Sequence, residues 1–158
     1  MEYVEAPKFK NESNPFRDIP ESEADEETCL LHRNELSYLV LNRYPYNAGH
    51  LLAIPYREVS DLSELNANER GELMNTIILG KEILQNALHP DGFNIGFNLG
   101  KAAGAGLPAH LHCHIVPRWE GDTNFMPVLG ETRVLPASLR AMWKRLRPHC
   151  PGASEAQD

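Results

Sequence analysis

Cysteine is scarce in this chain: among 158 residues only Cys29, Cys113 and Cys150 occur, an odd number with no C-x-x-C spacing. That argues against a disulfide framework and fits thiols kept reduced in a cytosol. Long apolar runs are missing too. Stretches such as Leu51–Pro55 and Thr76–Leu79 fall far short of the roughly 20 residues that span a membrane, and the opening MEYVEAPKFKNES lacks the apolar core of a signal peptide. Positive charge is in deficit: 15 Lys and Arg face 22 Asp and Glu, a net charge of -7. Broad binding to nucleic acid or anionic lipid depends on clustered positive charge and is therefore not expected, whereas a small anion held locally remains compatible. These absences point to a cytoplasmic protein with neither a membrane nor a nucleic-acid partner.

What is present is an ordinary globular balance, 42% hydrophobic and 23% charged, in a length that suits one domain. We expect an irregular N-terminal segment over 1–28, whose acidic run from Glu21 to Glu27 reads as solvated surface, a single domain over 29–148, and a frayed tail over 149–158. Strand-like runs at 29–32, 37–41 and 50–54 are separated by the turn formers Arg33-Asn34-Glu35 and Tyr44–Gly49, which suits antiparallel hairpins. From Asn66 the period becomes helical. Leu73, Ile77, Leu84 and Leu88 share a face, Asn66 and Glu69 have capping-box spacing, and Pro90-Asp91-Gly92 supplies a stop, so a long helix is expected over about 67–88. Strands at 93–98 and 110–116 flank a loop of small residues, Gly100–Gly106, and a last helix is expected over about 136–147. One long helix among strands, without a repeated βαβ unit, gives the α+β class, an antiparallel sheet with helices on one face.

The chemistry concentrates in Ala109–Arg118. Three of the seven histidines, His110, His112 and His114, alternate there with Leu111, Cys113 and Ile115. Pleating would put the imidazoles on one strand face about 7 Å apart, given a rise of about 3.3 Å per residue. Three readings compete. Structural histidines would each need a buried partner. A metal site would need a third or fourth ligand, for which only Cys113, facing the other way, and distant His50 are candidates. Nucleophilic catalysis by the central histidine, with its neighbours and backbone donors holding a phosphate, fits best. The adjoining loop supports it, because Gly100, Gly104 and Gly106 let main-chain N–H groups approach an anion.

The run His110–Val116 resembles the His-φ-His-φ-His-φ-φ signature of the histidine triad nucleotide hydrolases and transferases. The likeness extends over roughly Asn14 to Pro136 through Leu41–His50, Gly92–Gly100 and Pro117–Phe125. Within that family the Tyr-Pro-Tyr-Asn turn and the Pro-Arg-Trp-x-Gly-Asp stretch look most like bacterial diadenosine tetraphosphate phosphorylases and related dinucleoside polyphosphate hydrolases. The resemblance implies an antiparallel sheet of about five strands, within the usual size of sheets, with one long and one C-terminal helix, and a homodimer. It assigns His112 the attack on the α-phosphorus, which forms a covalent nucleotidyl-histidine. His114 and the backbone of Gly104, Ala105, Gly106 and Leu107 would hold phosphate oxygens, and His110 and His50 would orient the site. Asn42 would bind the ribose and Asn98 the phosphate. Ile19, Leu39 and Leu41 would wall an adenine, and Trp119 and Phe125 are candidates to stack on a second base.

The chain departs from these relatives in two places. Many of them carry Cys-x-x-Cys where this chain reads Asn14-Pro15-Phe16-Arg17, and bind zinc there with histidines matching His50 and His110. Asn14 and Arg17 supply no thiolate, so structural zinc is expected to be absent. Gly106 stands where relatives often place a glutamine or serine against the phosphate. The expected function is cleavage of dinucleoside polyphosphates through His112, with phosphate or water as acceptor. No tightly bound cofactor is expected beyond a divalent cation accompanying the substrate. The alternatives are a hydrolase of AMP phosphoramidates or other nucleotide conjugates, a non-catalytic nucleotide sensor, and a metalloenzyme.

Overall fold

Turn formers between apolar runs produce three consecutive strands, β1 (Leu30–Arg33), β2 (Ser37–Leu41) and β3 (Leu51–Pro55), in a computed structural model that describes residues 14–122 and 138–153. Every residue of β2 and β3 is buried, as expected for interior strands covered on both faces. After β3 come the long helix α3 (Ala67–Leu88), the strand β4 (Gly92–Phe97) and the strand β5 (Cys113–Arg118). The chain returns β5 to the middle of the sheet, so the order is β1-β2-β3-β5-β4 with all neighbours antiparallel. The α+β class and five-stranded sheet stand as expected.

Helix α3 begins and ends where the sequence pattern places it. The Asn66 side chain accepts from the Glu69 N–H at 2.9 Å, and the Glu69 carboxylate accepts from the Asn66 N–H at 2.8 Å. Arg57 closes on the same carboxylate through two bonds of 2.8 and 2.7 Å. At the other end His89 turns left-handed at φ 50° ahead of Pro90, which cannot continue a helix. Gly80 lets the helix sit close on the sheet: a Cβ there would lie 2.8 Å from Ile115 and 3.0 Å from Leu39.

Register assigns the two faces of the sheet. Leu39 pairs with Ala53 and Leu41 with Leu51, while Leu51 pairs with Ile115 and Ala53 with Cys113. Directly opposed residues share a face, so Leu39, Leu41, Leu51, Ala53, Cys113 and Ile115 all point to α3. His114 pairs with Leu52 and Gly96 and belongs to the opposite face.

Several boundaries differ from expectation. Within the described residues before β1, the chain forms short helices, α1 (Pro15–Asp18) and α2 (Asp25–Thr28), where an irregular course is expected. Asn14 caps the first with its side chain on the Phe16 N–H at 3.0 Å, and Arg33 ties down the second through Asp25 at 2.8 and 2.9 Å. The acidic run is likewise paired in part, since Glu26 meets Arg140 and Lys144 of the C-terminal helix α4 (Leu139–Leu146). That helix starts later than expected, capped by Ser138; Pro136 lies outside the described residues. The tail does not fray at 149: Cys150 is buried in the core, where a small thiol side chain packs as a hydrophobe.

Gly49 stands at φ 83°, and a Cβ there would lie 2.7 Å from Leu88 and 3.2 Å from Leu84. A left-handed backbone costs a non-glycine residue about 1–2 kcal/mol, and overpacking adds about 1–3 kcal/mol. Gly49→Ala is therefore expected to destabilise by roughly 2–5 kcal/mol, read as a lowered urea midpoint with an unchanged m-value.

Candidate active site

Only part of the histidine-rich segment is strand. His110, Leu111 and His112 precede β5, because their main chain bonds elsewhere. The His110 N–H donates to Leu107 O at 3.2 Å and the Leu111 N–H to Val59 O at 2.7 Å. The alternation still holds, with Leu111, Cys113 and Ile115 in the core. The His112 and His114 ring centroids lie 5.1 Å apart, edge to face. Cys113 is on the core side and burial pushes its thiol up to about 12, so it carries no thiolate.

Hydrogen-bond partners fix the state of each imidazole. The Tyr46 main-chain N–H lies 3.0 Å from His50 Nδ1, and an amide N–H can only donate. Neutral His50 therefore carries its proton on Nε2, which lies 2.9 Å from His114 Nδ1 and donates to it. His114 in turn carries its proton on Nε2, a buried atom without a hydrogen-bond partner among the described residues. A second chain of bonds starts at Pro55. Its carbonyl lies 2.8 Å from His110 Nε2 and can only accept, so neutral His110 holds its proton there. His110 Nδ1 then accepts from the Asn14 amide at 2.8 Å. The His110 carbonyl lies 2.8 Å from His112 Nδ1, which must donate, and this leaves the His112 Nε2 lone pair bare. Each tautomer follows from its neighbour.

Burial lowers the pKa of His110, His112 and His114 below the ordinary imidazole value, that of His114 to about 4. All three are neutral at pH 7. The arrangement thus offers one bare nitrogen nucleophile and, 5.1 Å away between ring centres, one unpaired N–H donor.

The four predicted histidines come together. Asn42 joins them at the end of β2: its Nδ2 lies 3.4 Å from His50 Nδ1, while its Oδ1 accepts from the Tyr44 N–H at 2.9 Å. Asn98 directly follows the end of β4, two residues beyond Gly96, which stands opposite His114. The glycine loop behaves differently from expectation. The Gly104 N–H donates to Lys101 O at 3.0 Å and the Ala105 N–H to Gly100 O at 3.3 Å, because a short 3-10 turn over Lys101–Ala103 consumes them. The N–H groups of Gly106 and Leu107 have no such acceptor among the described residues. Leu39 and Leu41 face α3 and wall no ligand on the histidine side. Ile19 packs partly buried against the core, Trp119 is half-buried, and Phe125 lies outside the described residues.

Other contributors were not singled out from the sequence. Tyr46, 51% exposed, lays its ring 5.5 Å from His114 at 17° and 4.7 Å from His50. Phe16 sets its ring edge-on, 5.6 Å from His110 and 5.1 Å from His112. Asp122 accepts from Arg118 at 2.7 and 2.8 Å, from the Trp119 N–H and from Asn47, which anchors the turn that carries Tyr46 to the end of β5. The long-range contacts among these span 68 to 96 positions, and only the turn motif itself hinted at them.

Both ring nitrogens of His50 and of His110 are engaged within the protein. Among the described residues no three His, Cys, Asp or Glu side chains gather as a metal set, and Asn14 is hydrogen-bonded to His110 Nδ1.

The sequence matches the HIT domain model over residues 23–121. It is 47% identical over 128 residues to the "AP-4-A phosphorylase" of Mycobacterium tuberculosis, covering 81% of this chain and 65% of that protein, just under two thirds of its length. It is 32% identical over 93 residues to the asymmetrical bis(5'-nucleosyl)-tetraphosphatase of Schizosaccharomyces pombe, covering 59% and 50%. A hypothetical histidine triad nucleotide-binding protein from Sulfolobus tokodaii superposes with a TM-score of 0.67 at 25% identity, covering 85% of this chain and 89% of that one. A Zn-bound histidine triad family protein from Mycobacterium smegmatis gives 0.63 at 25% identity, covering 77% and 82%. The HφHφHφφ run, the sheet that presents it and these matches converge: the chain belongs to the HIT, or histidine triad, family.

Proposed function

We propose that this protein cleaves dinucleoside polyphosphates such as diadenosine tetraphosphate at an α-phosphate, through His112. The observation that carries the reading is the His112 Nδ1 to His110 carbonyl bond of 2.8 Å, which turns the bare Nε2 into the only lone pair that this imidazole can offer. In-line attack by Nε2 forms a nitrogen–phosphorus bond and breaks the bond from the α-phosphorus to its bridging oxygen. ATP leaves, and AMP remains on His112. Inorganic phosphate then displaces the histidine to give ADP, or water displaces it to give AMP. The phosphorylase outcome is favoured by the likeness to the mycobacterial AP-4-A phosphorylase.

The remaining roles follow from donors. His114 Nε2–H points its unpaired proton at a phosphate oxygen, and the N–H groups of Gly106 and Leu107 supply the anion contacts that Gly104 and Ala105 cannot make while their own are committed. Asn98 adds an amide beside the phosphate, and Asn42 serves the ribose hydroxyls with the acceptor and donor of its amide. No protein-held zinc enters this reading, since Asn14 and Arg17 offer no thiolate and Asn14 already fills His110 Nδ1. A divalent cation travels with the polyphosphate. β4, at the edge of the sheet with Ile95 exposed, supplies the surface for a homodimer. Among the described residues no helix is long and apolar enough to cross a membrane, and we read the site of action as the cytoplasm.

Chromatographic product analysis with diadenosine tetraphosphate tests the reading. ADP and ATP are expected with phosphate present, and AMP with ATP in its absence would make water the acceptor. His112→Ala is expected to lose at least about a thousandfold in kcat, the scale of removing a nucleophile. No turnover by the unaltered protein in either condition would sink the proposal.

Acidification should act in a definite direction. Because folding lowers the His114 pKa to about 4 from an unfolded value of about 6.5, protons bind the unfolded chain first as pH falls. The stability contribution is complete above about 6.5 and is lost progressively down to about 4. Urea midpoints at pH 7.5 and 5.0 should therefore fall more in the unaltered protein than in His114→Gln; equal declines would refute this assignment.

A further inference from the structure

We propose that Asn14 is a positioning residue for His112, acting through His110; the inference rests on the reading of His112 as the nucleophile. Asn14 uses both ends of its amide. Oδ1 accepts from the Phe16 N–H at 3.0 Å, and Nδ2 donates to His110 Nδ1 at 2.8 Å. The His110 ring is thereby pinned at two points, by Asn14 on one nitrogen and by the Pro55 carbonyl at 2.8 Å on the other, while its main-chain N–H is held by Leu107 O at 3.2 Å. A residue fixed at ring and backbone holds its carbonyl in one direction, and that carbonyl receives the His112 Nδ1–H. The same amide sets the start of α1, from which Phe16 packs edge-on against both rings, and Tyr38 holds Phe16 by donating its hydroxyl to the Phe16 carbonyl at 2.7 Å.

The geometry separates this role from simple capping. Serine caps a helix about as well as asparagine, but its hydroxyl is one bond shorter and falls short of His110. Asn14→Ser therefore keeps the cap and removes the donor. Loss of the donor leaves a buried ring nitrogen unpaired and frees the ring to reorient, and displacement of a reacting group on this scale costs up to about 100-fold in rate.

Two measurements on the full chain test the proposal. Long-range 15N–1H correlation spectra of the imidazoles read the tautomers without substrate. His110 is expected as the Nε2–H form with a hydrogen-bonded Nδ1, and His112 as the Nδ1–H form. An Nδ1–H tautomer of His110 in the unaltered protein would overturn the proposal whatever the variants do. Steady-state kinetics then compare Asn14→Ser with Arg33→Gln, which loosens the same N-terminal segment at Pro20, Ser22 and Asp25 and lies outside the histidine cluster. Asn14→Ser is expected to lower kcat about 10- to 100-fold with KM within about threefold and to blur the His110 tautomer, while Arg33→Gln lowers Tm with kcat within about twofold. Wild-type kcat in Asn14→Ser, or an equal fall in both variants, refutes a positioning role. An unaltered protein without turnover refutes the nucleophile reading instead, and the spectra still decide whether Asn14 sets the His110 tautomer.

Discussion

One main-chain donor, the Tyr46 N–H on His50 Nδ1, orders half of the histidine cluster. Two neutral imidazoles facing each other, as His50 Nε2 and His114 Nδ1 do at 2.9 Å, can share their proton in either sense, and the two senses present opposite chemistry to a ligand. A backbone amide cannot reverse its polarity, so it selects one. The wrong tautomer would set two lone pairs against each other and leave a buried donor or acceptor unmet, a cost of about 1–3 kcal/mol for each group. The selected sense puts a proton on Nε2, the far nitrogen of His114.

The second set of bonds has the same logic and a different origin, since it begins at the Pro55 carbonyl, a group that can only accept. Tyr46 lies in the turn before β3 and Pro55 is the last residue of β3, so one buried strand fixes the histidines from both ends. That is why the placement of β3 beside β5 matters beyond the core it builds. Its central position pairs Leu52 with His114 and sends His50 and Asn42 to the same face. Gly80 lets α3 close the other face without disturbing the register, because no Cβ intrudes on Ile115 or Leu39.

Periodicity made much of this fold legible. The capping box at Asn66 and Glu69 and the stop at Pro90 delimit α3 because they are local, as are the turn formers between β1, β2 and β3. The chemistry of the triad was legible for a similar reason, since a two-residue alternation survives even where His110 to His112 leave the ladder. What was not legible is non-local. The departure from the ladder is set by Val59 O and Leu107 O, and the first of these is 52 positions from Leu111. The order in 15–28 depends on Arg33 and on Asn14, whose amide reaches a histidine 96 residues away. The resemblance makes Leu39 and Leu41 walls for an adenine; the register, which the sequence does not display, turns them to the helix. The small-residue loop reads as a set of free N–H donors, and a tight turn, itself a favourable use of small residues, consumes two of them, those of Gly104 and Ala105.

The neutral state of the cluster bears on how such a site distinguishes a transition state from a ground state. Desolvation keeps His112 uncharged, so in the resting protein its Nδ1–H makes an ordinary hydrogen bond to the His110 carbonyl. In the proposed attack the ring gives up its Nε2 electron pair to phosphorus and gains positive charge. The same 2.8 Å contact then becomes a charge-assisted bond, of a kind roughly twice as strong as a neutral one. The increment appears only as the bond to phosphorus forms, which is the condition for an interaction to raise kcat rather than merely tighten binding. A carbonyl free to swing would surrender part of that increment to reorganisation. Rigid anchoring of His110 at both ring nitrogens and at its own N–H keeps the acceptor aligned before any charge develops, so the cost of ordering it is met during folding and not on the reaction path.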